Sequence, residues 1–367
     1  MHTLKEIENK ILQAKRITTE EALFLYQKAP LSLLGSLAHQ INVQKNKELV
    51  FYNKNLHIEP TNLCVFRCKF CSYYAKTKDD SWEYSTENIL KQIENKINDI
   101  TEVHVVGGVH PQWGLSRYVE IISEIRNKYP ILHIKAFSAV EIAFMAKRAK
   151  LSFLDTLTSL KKAGLDSIPG GGAEIFHNEV RKEICPEKVN TKEWLEIHKL
   201  AHSIGIASNA TILYGHIEKA EHIIDHLNKL RELQDESKGF NCFIPLKFKS
   251  ANNEMSYLEE VSVVEDLRMM AISRIFLDNF KNIKAYWPML GRETAAISLH
   301  FGVNDLDGTV NDSTKIYSRA GQKEKQEMTV EEITKMISGE GKEACERDSL
   351  YNAIGKQHLP STNGASI

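Results

Sequence analysis

From residue 56 onward the sequence repeats one unit: a short run rich in apolar residues, a loop, then an amphipathic stretch. The runs fall at 56–60, 102–106, 132–137, 167–169, 208–213, 241–248, 283–287 and 305–310. Short apolar runs suit strands covered on both faces. Their alternation with helices predicts an α/β fold with a parallel sheet. Eight repeats predict a closed (β/α)8 barrel of the TIM type, with a six-strand partial barrel as the alternative. Ser85 is placed to cap a helix carrying Ile89, Ile93, Ile97 and Ile100. Thr191 is placed to cap another through Trp194, Leu195, His198 and Ala201, and further helices are expected near 223–233 and 264–276. Residues 1–50 read as an N-terminal helical cap, with a start signal at 18–21 and Ile7, Ile11 and Leu12 on one face. The barrel is expected over 51–315 and a C-terminal helical extension and tail over 316–367, where Thr329 and Glu332 form a capping box.

Composition narrows the function classes. The 367 residues are 42% hydrophobic and 26% charged, enough apolar material for a large core, with a net charge of -1. That balance argues against a nucleic-acid partner and a polybasic membrane surface. No apolar run reaches the roughly 18 residues of a spanning helix, so no membrane partner is expected. The charged N-terminus lacks the apolar core of a secretory signal. Six cysteines, three of them clustered, do not make a disulfide framework in a chain this long. The expected compartment is reducing, and the cytoplasm fits.

The cluster lies in residues 57–74, HIEPTNLCVFRCKFCSYY, where Cys64, Cys68 and Cys71 have the spacing C-x3-C-x2-C. A structural zinc site wants four closed ligands. A four-iron cube is normally held by four thiolates. Three would leave one iron open to a small molecule, which is a catalytic arrangement. A zinc knuckle or three unrelated thiols is the bland alternative.

Barrel enzymes build their sites on the loops after the strands. Those loops carry Gly107-Gly108-Val109-His110, then Ser138 and Glu141, then Pro169-Gly170-Gly171-Gly172-Ala173-Glu174. They go on with Tyr214-Gly215-His216, Lys247 and Lys249, Trp287 and Met289 with Arg292 beyond, and Asp307 and Thr309. Glycine pairs let backbone approach closely, and equally make a tight turn. Glu174 suits a ribose diol, or a helix N-terminus. His110 and His216 are site candidates by position. His198 and His202 have metal-ligand spacing without a third ligand, so an ordinary helix face is expected. Cys185, Cys242 and Cys345 are read as core thiols.

The cysteine stretch, with the aromatic Phe70 before its last cysteine, resembles the signature of the radical S-adenosylmethionine (SAM) superfamily. The resemblance implies a [4Fe-4S] cluster on Cys64, Cys68 and Cys71, with SAM chelating the open iron. One electron would then cleave SAM to methionine and a 5′-deoxyadenosyl radical. A one-electron donor such as flavodoxin or ferredoxin would be a partner. Phe70, Gly107, Gly108, Ser138 and Glu174 become candidate SAM contacts, although Val109 stands where an acid is common.

Longer segments, among them HVVGGVHP, HIKAFSAVEI, GLDSIPGGGAEIF, SNATILYGHIE and LDNFKNIKAYWPMLG, resemble the aminofutalosine (aminodeoxyfutalosine) synthases of the futalosine route to menaquinone. Two sister families share the cluster and the Gly-Gly-Gly-Ala-Glu stretch: the cyclic dehypoxanthinyl futalosine synthases and the deazaflavin (FO) synthase subunits. Residues 230–236 and 284–291 favour the first family. Pro288 and the basic residues 247–250 depart from its pattern. The resemblance implies that the radical adds to the vinyl bond of 3-[(1-carboxyvinyl)oxy]benzoate. Rearrangement onto the ring and loss of bicarbonate would give 6-amino-6-deoxyfutalosine, with SAM consumed. Phe70, Tyr73, Trp287 and Met289 are candidate wall residues. Arg292, Lys247 and His216 are candidates for the substrate carboxylates, and His110 for proton transfer.

Overall fold

The computed structural model describes residues 3–310, 315–321 and 327–355. Ten strands form one curled sheet: β1 (Leu49–Tyr52), β2 (Asn55–Ile58), β3 (Glu102–Val105), β4 (His133–Ala136), β5 (Ser167–Ile168), β6 (Ala207–Tyr214), β7 (Phe240–Lys247), β8 (Asn282–Ala285), β9 (Asp305–Leu306) and β10 (Glu343–Glu346). Their order is β10-β1-β9-β8-β7-β6-β5-β4-β3-β2. Every pairing is parallel. The eight expected strands are β2 to β9, side by side in chain order, as right-handed strand–helix units require. No backbone pairing closes β9 onto β2 among the described residues, so the sheet is a curled half-barrel, and side chains tie the edge strand β2 to the segment after β9. Thr309, just past β9, donates its hydroxyl to Asn55 O at 3.0 Å, and Asn55 Oδ1 accepts from Val310 N at 3.0 Å.

Most helix starts follow the expected chemistry. Ser85 caps Thr86–Glu94, and full capping boxes open Thr19–Lys28 from Thr18 and Val330–Gly339 from Thr329. Three details differ. Asn190, not Thr191, caps Thr191–Ser203, because its amide oxygen accepts from Glu193 N at 3.0 Å. Ile97 and Ile100 lie beyond the end of Thr86–Glu94, so only Ile89 and Ile93 of that stripe are buried on it. Leu12 is half exposed while Ile7 and Ile11 are buried, since the helix stops at Leu12 and turns it outward. His198 and His202 both meet Ser208 Oγ, at 2.8 and 2.7 Å, so they fasten their helix to β6.

The core is layered between helices and sheet. Ile134, Ile168, Phe243 and Ile283 are fully buried. Trimming one such isoleucine to alanine costs about 2–5 kcal/mol in a packed interior. Of the N-terminal helices, Leu31–Asn46 packs on Val263–Phe276 and Thr19–Lys28 on Ala220–Ser237. The first reaches the loops before β9 and β8, where Asn42 Nδ2 donates to Val303 O and Lys45 Nζ to Phe280 O. The end of the sheet opposite the strand-end loops is closed by residues after β10. Arg347 forks onto Asp305 at 2.9 and 2.8 Å, Tyr351 donates its hydroxyl to Asp305, and Asn241 Nδ2 reaches Ser349 O. A planar two-bond pair of this kind fixes geometry as well as charge. Among the described residues no helix is long and apolar enough to cross a membrane.

Candidate active site

A cavity of about 340 Å³ opens at the C-terminal ends of the strands and runs inward along the barrel. Cys64, Cys68 and Cys71 all line it, on the loop after β2. The loop folds locally as a turn, with Cys71 N donating to Cys68 O at 3.0 Å. Burial pushes the Cys64 thiol up, against the nearby backbone of Val109 and Phe66. Burial pushes the Cys68 thiol up to about 12, against the pull of Lys188. A buried thiol this reluctant to ionise becomes a thiolate when a cation takes its proton's place.

The glycines make this loop possible. Gly108 N donates to Thr61 O at 2.8 Å. A Cβ on Gly107 would stand 2.7 Å from Thr61 O, and one on Gly108 2.4 Å from Leu63 O. What approaches the glycine pair is therefore the cysteine loop's own backbone, while the pair's other side borders the cavity. Glu141 locks the arrangement from the first turn of the helix after β4, Ala139–Ala149. Its carboxylate accepts from Ser138 N and Ser138 Oγ, both at 2.7 Å, and the backbone of Gly107 lies close enough to favour its charge. Ser138 thus caps its helix, Ala139–Ala149, and lines the cavity at once.

The Gly170–Glu174 segment is built the same way. A Cβ on Gly170 would strike Thr211 of β6 at 2.7 Å, and Gly172 has φ +89°. Gly171 borders open cavity, with only Ser138 Cβ near, at 3.6 Å. Glu174 takes φ +47°, a conformation that costs a non-glycine residue on the order of 1 kcal/mol or more and collects at functional sites. Its Oε1 accepts from Lys188 Nζ at 2.6 Å. The Lys188 ammonium stands 5.1 Å from the centroid of the Phe70 ring. Burial works against the Lys188 charge, but Cys68 and Glu174 outweigh it and raise its pKa well above the ordinary value. Lys188 lines the cavity between the cysteines and Glu174 and is absent from the sequence-derived candidates. Its only signal there is a basic residue three positions after Cys185.

Of the other candidates, Tyr73 and Met289 line the cavity and Trp287 lies behind its wall, donating to Asp307 O and Gly308 O at 3.1 Å. His110, His216, Lys247 and Arg292 are not on the lining. His110 pairs with Glu83 at 3.1 Å, accepts from Gln112 N and stacks on Trp113. His216 bonds Leu213 O at 3.1 Å and accepts from Ile217 N at 2.7 Å. Lys247 is taken up by Asp266 at 2.8 Å and Val261 O at 2.7 Å. Arg292 lies over Trp287 and donates to Glu332 and to Glu327 O, tying down Val330–Gly339. Cys185 is buried near Cys68 and Lys188 but off the cavity wall.

The donor set fits an iron–sulfur cluster. Three thiols on one loop share one cavity, and thiolates of a cluster stand apart because each binds a different iron. Among the described residues no three His, Cys, Asp or Glu side chains are arranged around a single metal ion.

The model of the radical SAM superfamily matches residues 58–230, and that of the CofH/MqnC C-terminal region matches 237–358. An aminodeoxyfutalosine synthase of Thermus thermophilus is 37% identical over 354 residues, 95% of either chain. A 5-amino-6-(D-ribitylamino)uracil–L-tyrosine 4-hydroxyphenyl transferase of Methanosarcina acetivorans is also 37% identical, over 96% of this chain and 92% of its own. A cyclic dehypoxanthine futalosine synthase of Streptomyces coelicolor is 35% identical over 96% and 89%. Among solved structures, methylornithine synthase superposes with a TM-score of 0.73 at 15% identity, over 92% of this chain and 97% of its own, a likeness of fold. The chain belongs to the radical SAM superfamily, in the group with the CofH/MqnC C-terminal region, and its cofactors are a [4Fe-4S] cluster and SAM.

Proposed function

We propose that this enzyme is an aminodeoxyfutalosine synthase. It would join the 5′-deoxyadenosyl group of SAM to 3-[(1-carboxyvinyl)oxy]benzoate, yielding 6-amino-6-deoxyfutalosine, bicarbonate and methionine in menaquinone biosynthesis. Overall identity does not separate the sister reactions, so the observation that carries the reading is local. The segment 284–291, which favours this branch, supplies Lys284, Tyr286 and Met289 to the cavity wall.

When bound, the cluster and SAM supply a carbon-centred radical on a one-electron reduction by a donor of the flavodoxin or ferredoxin kind. Cys64, Cys68 and Cys71 would hold three of the four irons. Lys188 would meet the SAM carboxylate, since its charge is fixed beside Cys68 and Glu174. Glu174 has a second carboxylate oxygen to offer a ribose hydroxyl while its first holds Lys188. Gly171 leaves room for the ribose where a side chain would stand. A reactive carbon centre must be kept from water and stray hydrogen donors. Phe66, Phe70, Val140, Leu246, Phe248 and Met289 give the upper cavity an apolar wall suited to that.

The test is anaerobic reconstitution with iron and sulfide, followed by dithionite, SAM and the benzoate substrate, with mass spectrometry of the products. An adenosyl group joined to the benzoate is expected. Stoichiometric free 5′-deoxyadenosine instead would move the enzyme to a sister reaction.

A further inference from the structure

Below the level of the cysteines the cavity ends on a polar floor. Asn55, Glu102, His104, Lys135, Lys284 and Asp307 line it, from β2, β3, β4, β8 and the turn after β9. Asn55, Glu102, Lys135, Lys284 and Asp307 are buried, and His104 is partly buried, as its place on the cavity wall requires. Buried ion pairs are weak contributors to stability, because desolvation consumes most of their attraction. Stability alone gives little reason for a floor of this make.

Lys135, Lys284 and His104 all line the same cavity. Lys135 Nζ donates to Glu102 Oε2 at 2.7 Å, and Lys284 Nζ donates to Asp307 Oδ1 at 2.9 Å and stands 3.5 Å from Asp305 Oδ2. An ammonium has three N–H donors, so each lysine keeps capacity beyond these bonds. His104 is the register partner of Lys135 across β3 and β4. Its buried Nε2 has no hydrogen-bond partner among the described residues. Burial first, then His57 and Lys135, hold the His104 ring well below the usual imidazole range, so it is neutral and carries one N–H. Burial opposes the charge of Glu102, but Lys135 and His133 outweigh it and keep the carboxylate ionised.

The proposed substrate has two carboxylates of unequal place. The enol carboxylate sits on the reacting carbon and must face the cluster end. The ring carboxylate lies meta to the ether oxygen and points away from it. A four-residue strand spans roughly 13 Å, enough for the aromatic ring to lie between the two ends. Leu213, Ile244 and Leu246 line the level where the ring would pass.

We propose that Lys135, Lys284 and His104 form the subsite for the ring carboxylate of the benzoate substrate, anchoring it at the barrel floor. The assignment rests on the aminodeoxyfutalosine synthase reading and supplies the carboxylate partners that Arg292, Lys247 and His216, off the cavity lining, do not.

The experiment is a cycle between protein and substrate, comparing Lys135→Met with wild type on the full substrate and on 2-phenoxyacrylate, which lacks only the ring carboxylate. For wild type, loss of the carboxylate should lower kcat/KM roughly tenfold to a hundredfold, the range of a charge-assisted hydrogen bond. Lys135→Met should lose about as much on the full substrate and little more on 2-phenoxyacrylate. Equal losses on both substrates would overturn the assignment. Lys135→Met strands Glu102, so Lys135→Met/Glu102→Leu is run beside it. The cluster absorbance and the SAM-induced change in its electron paramagnetic resonance report that each variant is folded. Should wild type give no adenosyl adduct, the reaction reading fails alone. Calorimetry with 3-methoxybenzoate then decides the floor: weaker binding by the double variant upholds it, and unchanged binding overturns it.

Discussion

The two ends of the cavity are made in opposite ways. The upper end is made by backbone and contiguous motif: three cysteines within eight residues, a glycine pair pressed on Thr61 and Leu63, and a glycine run leading to Glu174. The floor is made by single inward side chains from separate strands, Lys135 on β4 and Lys284 on β8, each set against a carboxylate from elsewhere. A site of the first kind keeps its chemistry in a short stretch of sequence. A site of the second kind is changed one side chain at a time, and is where sister enzymes can part in substrate.

The largest effect should come from the upper end. Cys68→Ala would remove a proposed iron ligand, and the reconstituted protein should lose its cluster absorbance and cleave no SAM. A variant that kept a full cluster and normal SAM cleavage would break the division between the two ends. Lys188→Met comes next. The cluster should assemble, SAM affinity should fall roughly tenfold to a hundredfold, and the KM for the benzoate should hold. Partial rescue by Lys188→Arg would sharpen the point, and a benzoate KM that moved as much as SAM affinity would blur the two ends into one.

Glu141 offers a pH test of the tie between Ser138 and the glycine pair. Burial raises its carboxyl to about 7, against the bonds from Ser138 and the nearby backbone of Gly107. The folded state then holds a proton where the unfolded chain has lost it. The stability tied to that proton is full below the ordinary value of 4.5 and is lost as pH rises through 7. Relative to Glu141→Gln, wild type should lose about 3 kcal/mol between those limits in anaerobic denaturant titrations. Parallel stability curves would remove Glu141 from the account. The smallest effect belongs to Arg292. Its guanidinium is one-third exposed and 3.2 Å from Glu332. Arg292→Ala should cost less than about 1 kcal/mol and leave the KM for the benzoate unchanged. A tenfold rise in that KM would return Arg292 to the substrate.

The same contrast explains what could be read in advance. The eight strands β2 to β9 were visible because each falls in a short stretch with apolar residues set off from the next by helix or loop. β1 was not, since only Asn53 and Lys54 part it from β2 and the helix before it runs to Asn46. β10 reads Glu343-Ala-Cys-Glu346, with one buried residue, and its strand character comes from pairing with β1. The cysteines, glycines and Glu174 announce themselves by spacing. Lys135 and Lys284 do not, because a lysine in a four-residue strand looks alike whether it points into the barrel or out. His110 and His216 fall at strand ends as expected, but position along the chain does not fix side-chain direction, and each turns to a local partner.

The most direct measurement is one anaerobic turnover with substrate carrying carbon-13 in the ring carboxylate, read by mass spectrometry. The account predicts a product that contains the adenosyl group and the whole label, with unlabelled bicarbonate. Label in the bicarbonate, or 5′-deoxyadenosine as the sole nucleoside product, would contradict it.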